Sequence, residues 1–190
     1  MIIAKQNSVY AKTEKRILKA LYKVLKHNRS ISLRVRTLTR ETGIATSSFY
    51  IHYNSLTDLL DVNERRILGD LDKTIRMNMK NENQSEEKFY CNILICLYRY
   101  RELLKVFFIT ENFETPLKAI RHMKPFAVRR WNNYGLKTNE FIYEHYAYSV
   151  LAELNLWYKE NFDFNRLEKH ANHIAKINRL IPTFYTPIYS

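Results

Sequence analysis

The chain has 190 residues, enough for one or two domains with a buried core. Its 46% hydrophobic and 26% charged residues exclude a disordered chain, and three glycines with four prolines argue against a turn-rich all-β fold. The net charge of +12 is unevenly placed: residues 1–53 carry eleven Lys/Arg against two acids, Glu14 and Glu41, while residues 54–190 carry twenty against seventeen. Such localised basicity points to a polyanion, nucleic acid first and a membrane surface second; the plainer reading is a solvated lysine-rich helix face. Two cysteines, Cys91 and Cys96, are too few for a disulfide framework and read as buried, reduced thiols. No signal peptide and no run of about 18 apolar residues is present. The expectation is a cytoplasmic protein with no membrane partner.

In chain order, Thr13 to His27 places Ile17, Leu18, Leu21, Val24 and Leu25 on one helix face and Lys15, Arg16, Lys19, Lys23 and Lys26 on the other, with Thr13 and Ser8 as candidate caps. The loop "NRSIS" leads to a second helix, about Arg34 to Thr42, with Val35 and Leu38 inward. Gly43 ends it, because a C′ position needs φ > 0. A third short helix runs from about Thr46 to Tyr53. Ser55 then caps a fourth, with Asp58 in its first turn and Leu59, Leu60, Ile67, Leu71 and Ile75 as its inner stripe; Gly69 is a weak point in it, not a break. The polar stretch "NENQSEE" (81–87) is the best compositional boundary. Helical patterns follow over about 86–111, 116–134, 138–161 and 165–181, with breaks at Pro116, Pro125, Gly135 and "NFDFN". The tail "PTFYTPIYS" is expected to be extended. The fold class is therefore all-α.

The stretch "GIATSSFYIHY" (43–53) concentrates a glycine, small polar residues and aromatic rings. Two helices across a short glycine turn, preceded by a basic helix, are the organisation of a helix-turn-helix DNA reader. Gly43 lets the helices cross sharply. Thr46, Ser47 and Ser48 are short enough for the third helix to enter the major groove, and their hydroxyls can bond base edges or phosphates. Phe49 points inward, Tyr50 and His52 can reach phosphate oxygens, and Tyr53 packs at the join to the fourth helix.

"GIATSSFYIHYNSLTDLL" resembles the TetR family of bacterial transcriptional regulators, with its Gly-apolar-small turn, aromatic-Tyr-x-His-Phe/Tyr run and acidic-Leu-Leu start of the next helix. Upstream, Ile17, Ala20, Leu25, Val35 and Leu38 match as well, so the resemblance covers about residues 13–60. It implies an N-terminal three-helix helix-turn-helix DNA-binding domain, residues 1–55, and a helical C-terminal domain for dimerisation and ligand binding, residues 56–190. The implied DNA-contact set is Arg34, Arg36, Ala45, Thr46, Ser47, Ser48, Tyr50, His52 and Ser55. The implied partners are a palindromic double-stranded operator, a second copy of the chain gripped through the last two helices, and a small-molecule effector that releases a repressor from DNA. Two positions depart from the family pattern. Leu56 stands where a phosphate-pairing lysine is usual, and Arg34 stands where Thr or Ser often caps the second helix. They keep open an alternative, a TetR-like coactivator that grips a partner or ligand without reading an operator.

Other constellations are weaker. His170 and His173, at i and i+3, share a helix face, and Glu168 or His145 could join them around a metal. No HExxH or Cys/His spacing supports this, so the expectation is a partly exposed helix surface with no metal. There is no glycine-rich phosphate loop, no G-x-S-x-G and no triad, and neither catalytic residues nor a cofactor are expected. The many C-terminal aromatics, from Tyr98 to Trp157, read individually as core; as a group, some could wall a ligand cavity.

Overall fold

A computed structural model describes residues 2–27, 34–81, 83–137 and 139–189, with side chains described over 11–27, 34–81, 83–137 and 139–185. The "NRSIS" loop lies outside the described residues. Those residues form an all-α fold: α1 (Ile2–His27), α2 (Val35–Thr42), α3 (Thr46–His52), α4 (Leu56–Met79), α5 (Glu86–Arg99), α6 (Arg101–Ile109), α7 (Glu114–Arg121), α8 (Lys124–Asn132), α9 (Glu140–Lys159) and α10 (Leu167–Tyr189), with a short 3₁₀ turn at Phe164–Arg166. No helix among them is long and apolar enough to cross a membrane. The chain divides into two compact units, Met1–Arg65 with Glu102–Asn112, and Arg66–Arg101 with Phe113–Ser190.

The first unit is built on the apolar periodicity of α1 to α4. Ile17, Leu21, Leu38, Phe49, Tyr53 and Leu59 are buried together, and α6 adds Val106. Fully burying each such aliphatic or Phe side chain contributes about 1.5–3 kcal/mol. Helix α1 is longer than its sequence pattern predicts. It begins at Ile2, so Ser8 and Thr13 lie inside it rather than at its N-terminus. The predicted helix over 86–111 is instead two. Tyr100, with φ −102° and ψ 15°, closes α5, and α6 joins the first unit, with Lys105 near the Tyr22 ring at 5.8 Å.

The break expected at Pro116 falls just ahead of it, between Ile109 at the end of α6 and Glu114 at the start of α7. Pro116 sits in the first turn of α7, where backbone N–H groups have no intrahelical acceptor and a missing one costs little. The chain breaks again after Arg121, and Pro125 falls in the first turn of α8. Ser85 caps α5 by accepting from the Lys88 N–H at 3.2 Å, and Asn139 caps α9 by accepting from Ile142 at 2.9 Å. Most of the aromatics that could wall a cavity are core: Phe126, Trp131, Tyr143, Tyr146 and Trp157 are buried. The Tyr90 and Tyr146 hydroxyls bond each other at 2.8 Å, and burial pushes both phenols above their ordinary pKa. Cys96 is buried, Cys91 is half-buried, and both are free thiols.

The tail is the largest departure from the sequence reading. Helix α10 does not stop near residue 181 but runs on through Pro182 to Tyr189. A proline inside a helix removes the N–H that would bond the carbonyl four residues back, here that of Asn178. That carbonyl accepts the indole N–H of buried Trp131 at 3.0 Å instead. The same Asn178 donates its side-chain amide to Glu86 at 3.1 Å, and neighbouring Arg179 pairs with Glu87 at 2.6 Å, tying α10 to the first turn of α5. The two histidines of α10 also differ from expectation. His170 is buried rather than on a partly exposed surface, Glu168 is exposed, and His145 hydrogen-bonds Tyr185.

Trp131 and Pro182 should therefore behave as a coupled pair. Trp131→Phe is expected to cost about 1–3 kcal/mol in denaturant unfolding, because a buried carbonyl loses its donor. In a Pro182→Ala background, where the helix supplies its own N–H, the same substitution should cost measurably less. Equal costs in the two backgrounds would contradict this account.

Candidate nucleic-acid interface

The α2–α3 corner depends on Gly43. Its φ of 64° and ψ of 24° place it in the left-handed region, and its N–H bonds the Arg40 carbonyl at 3.3 Å. Thr42 stabilises the same turn. Its hydroxyl donates to the Thr39 carbonyl at 2.8 Å and accepts from the Ile44 N–H at 3.3 Å. The guanidinium of Arg16, on α1, donates to the Thr42 carbonyl at 2.7 Å. A cation at the carbonyl end of a helix satisfies an orphan acceptor and complements the helix dipole. One of the basic residues of α1 thus closes the helix-turn-helix rather than serving only as surface charge.

Helix α3 has one buried face and one open face. Phe49 is fully buried, whereas Thr46, Ser47 and Tyr50 are exposed and Ser48 and His52 are half-buried. Tyr50 stands edge-on to Phe49 with ring centroids 5.5 Å apart, which props its ring while leaving more than half of the residue accessible. The His52 ring leans against Tyr53 at 6.0 Å. Ala45 occupies the N-cap position of α3 and supplies no side-chain cap.

The hydroxyl of Thr46 has a structural task. Buried Thr39 donates to the Arg36 carbonyl at 3.2 Å, and the Thr39 and Thr46 hydroxyl oxygens lie 3.1 Å apart. Either hydroxyl can donate in that pair. Thr46 therefore pins α3 to α2. Ser55 is similarly engaged. It caps α4 by accepting from the Asp58 N–H at 2.9 Å, and its own hydrogen can still be donated elsewhere.

Arg34 precedes α2 as its N-cap, makes no side-chain cap bond, and is exposed, as are Arg36 and Arg40. Leu56 is half-buried and packs against the core of the first unit, so the residue in the usual lysine position contributes packing to the base of α4. Of the nine predicted contact residues, all lie on the first unit in or beside α2, α3 and the start of α4.

One feature of this corner escapes periodicity. The Tyr53 hydroxyl donates to Glu14 at 2.7 Å and accepts from the buried Asn63 amide at 3.0 Å, while Asn63 also donates to the Leu59 carbonyl at 2.8 Å. Three helical segments, α1, the end of α3 and α4, meet at this one oxygen. Two signals for it stand in the sequence: Glu14 is one of only two acids among residues 1–53, and Asn63 interrupts the apolar stripe of α4.

No protein-family model matches the chain, and no curated protein matches it in sequence. Its fold is similar to a solved structure described as fatty acid degradation regulator FadR from Bacillus halodurans, with a TM-score of 0.52 and 15% sequence identity, covering 89% of this chain and 94% of that one.

Removing the Tyr53 hydroxyl tests the role of that junction. Tyr53→Phe keeps the ring but leaves the buried Asn63 amide short of an acceptor, and is expected to lower stability by about 1–3 kcal/mol. Chemical denaturation of the two proteins measures this. An unchanged midpoint would mean that the junction does not position α3.

Proposed function

We propose that this chain is a DNA-binding transcriptional regulator of TetR type, a homodimeric repressor that a small ligand releases from a palindromic operator. The observation that carries the reading is the α2–Gly43–α3 corner, whose open face presents Ser47, Ser48 and Tyr50 beside exposed Arg34, Arg36 and Arg40. Short hydroxyls on an exposed helix face suit base edges or phosphates, and flanking arginines suit the backbone. The fold similarity to a protein described as a fatty acid degradation regulator supports the same class of function.

Within this reading, Ser47 and Ser48 face the groove, Ala45 allows close approach, and Tyr50, His52 and Ser55 reach phosphate oxygens. Arg34 and Arg36 supply charge to the backbone, with Arg34 standing in for the phosphate contact that Leu56 does not make. Thr46 acts chiefly by holding α3 in place. The dimer is proposed to form through α9 and α10, where Tyr148, Leu156, Leu180 and Phe184 are exposed. An apolar surface of that kind on the outside of two long helices fits a second copy of the chain. A two-fold pair of heads would read half-sites about 34–36 Å apart or a multiple of that. A ligand that binds better to the wrong head spacing lowers operator affinity by that difference.

Binding to duplex DNA over a salt series tests the arginine assignments. Arg34→Ala and Arg36→Ala should each reduce the slope of log affinity against log salt by about 1 per phosphate contact removed. Ser48→Ala should weaken binding to the preferred sequence more than to scrambled DNA. Slopes unchanged in both arginine variants would remove these residues from the interface. Weak binding that ignores sequence would favour the coactivator alternative.

A further inference from the structure

The second unit holds a cluster of side chains that the DNA reading leaves unused. His170 and His173 stand one turn apart on α10, and Glu153 lies opposite them on α9. His170 Nδ1 lies 2.6 Å and His173 Nδ1 2.9 Å from the same atom, Glu153 Oε1. One ligand atom from each of the three residues lies within 4.8 Å of the other two. Glu153 and His170 are buried, whereas His173 is half-exposed. On its far side, His170 Nε2 is 2.9 Å from Glu160 Oε2. The other Glu160 oxygen is held by Lys169 at 3.1 Å and Arg166 at 3.7 Å.

Two uses of this arrangement differ in where the protons sit. If all three contacts are hydrogen bonds, either His170 carries a proton on both ring nitrogens or the Glu153 carboxyl is protonated and donates to it. His173 must in addition direct its own N–H at the same carboxylate oxygen. If an ion sits among Nδ1, Nδ1 and Oε1, His170 stays neutral. Its Nε2–H then donates to Glu160, which fixes the tautomer that leaves Nδ1 as a ligand. A carboxylate behind a metal-bound histidine is the usual outer-shell support for such a ligand.

We propose that Glu153, His170 and His173 bind a divalent transition-metal ion that clamps α9 to α10, with Glu160 as the residue that orients His170. Two imidazoles and a carboxylate suit zinc, cobalt or nickel rather than magnesium or calcium, whose ligands are oxygen. Tetrahedral ligands about 2.0–2.1 Å from an ion stand roughly 3.3 Å apart, so occupancy opens the present contacts by less than an ångström. Three protein ligands leave a further position, on the half-exposed His173 side, for water or for a donor atom of a small ligand. Glu168 and His145, the other candidates by sequence, take no part: Glu168 is exposed and His145 bonds Tyr185. The site stands on its own geometry and does not depend on the DNA reading.

The test is calorimetric titration of the untagged, chelator-treated chain with Zn²⁺, paired with the visible absorption of its Co²⁺ complex. The expected result is saturable binding of one ion per chain, with the Co²⁺ bands of a low-coordinate nitrogen–oxygen site. His173→Ala, at a half-exposed position, should keep the metal-free fold by circular dichroism and weaken binding by about 100-fold or more. Glu160→Gln should weaken it by about 10–100-fold through its effect on His170. Absence of saturable binding by the wild-type chain would overturn the proposal, and so would affinities unaltered by both substitutions.

Discussion

The arrangement of the first unit depends on one buried oxygen. The Tyr53 hydroxyl, at the exit of α3, is bonded to Glu14 on α1 and Asn63 on α4. Apolar packing of Ile17, Leu38, Phe49 and Leu59 supplies most of the favourable energy, but hydrophobic contact is non-directional and tolerates rotation of a seven-residue helix. Directional bonds do not. The Tyr53 hydroxyl sets the end of α3, the Thr39–Thr46 pair sets its beginning, and Gly43 sets the turn between. With those three points fixed, the face that carries Ser47, Ser48 and Tyr50 is fixed too. The short side chains of that face can then lie open without compromising the core.

The second unit uses the same principle to a different end. Pro182 breaks the backbone ladder of α10, and Trp131 repairs it from α8 by bonding the Asn178 carbonyl. Asn178 and Arg179 then bind Glu86 and Glu87 at the start of α5. A long C-terminal helix can therefore continue past a residue that ordinarily ends one. Further back along α10, His170 and His173 meet Glu153 of α9. The ligand cluster is held on two packed helices rather than on loops, which is what a site with defined ligand geometry requires.

Much of this was legible in the sequence, for identifiable reasons. The stripes of α1 and α4, the glycine at the α2 terminus and the inward Phe49 follow from helical periodicity and from φ > 0 at a C′ position. What was not legible depended on partners distant in sequence. Nothing local to Pro182 says that a tryptophan 51 positions earlier will satisfy Asn178, so the tail reads as extended. The break at Tyr100 contains neither proline nor glycine, and α6 enters the first unit's core through Val106. His170 reads as surface because its carboxylate partners lie 17 and 10 residues away. At the α2–α3 corner, residue types suggest a candidate contact set, but not the division of labour in which Thr46 and Arg16 hold the fold while Ser47, Ser48 and Tyr50 stay open.

The central claim is that the open face of α3 reads sequence on duplex DNA as one half of a two-fold pair. Selection from a random-sequence duplex library with the purified wild-type chain tests it most directly. The account predicts enrichment of a single inverted repeat whose half-site centres are about 34–36 Å apart or a multiple of that distance. Recovery of no motif after repeated rounds would contradict it, leaving the basic first unit as a charged surface without a code.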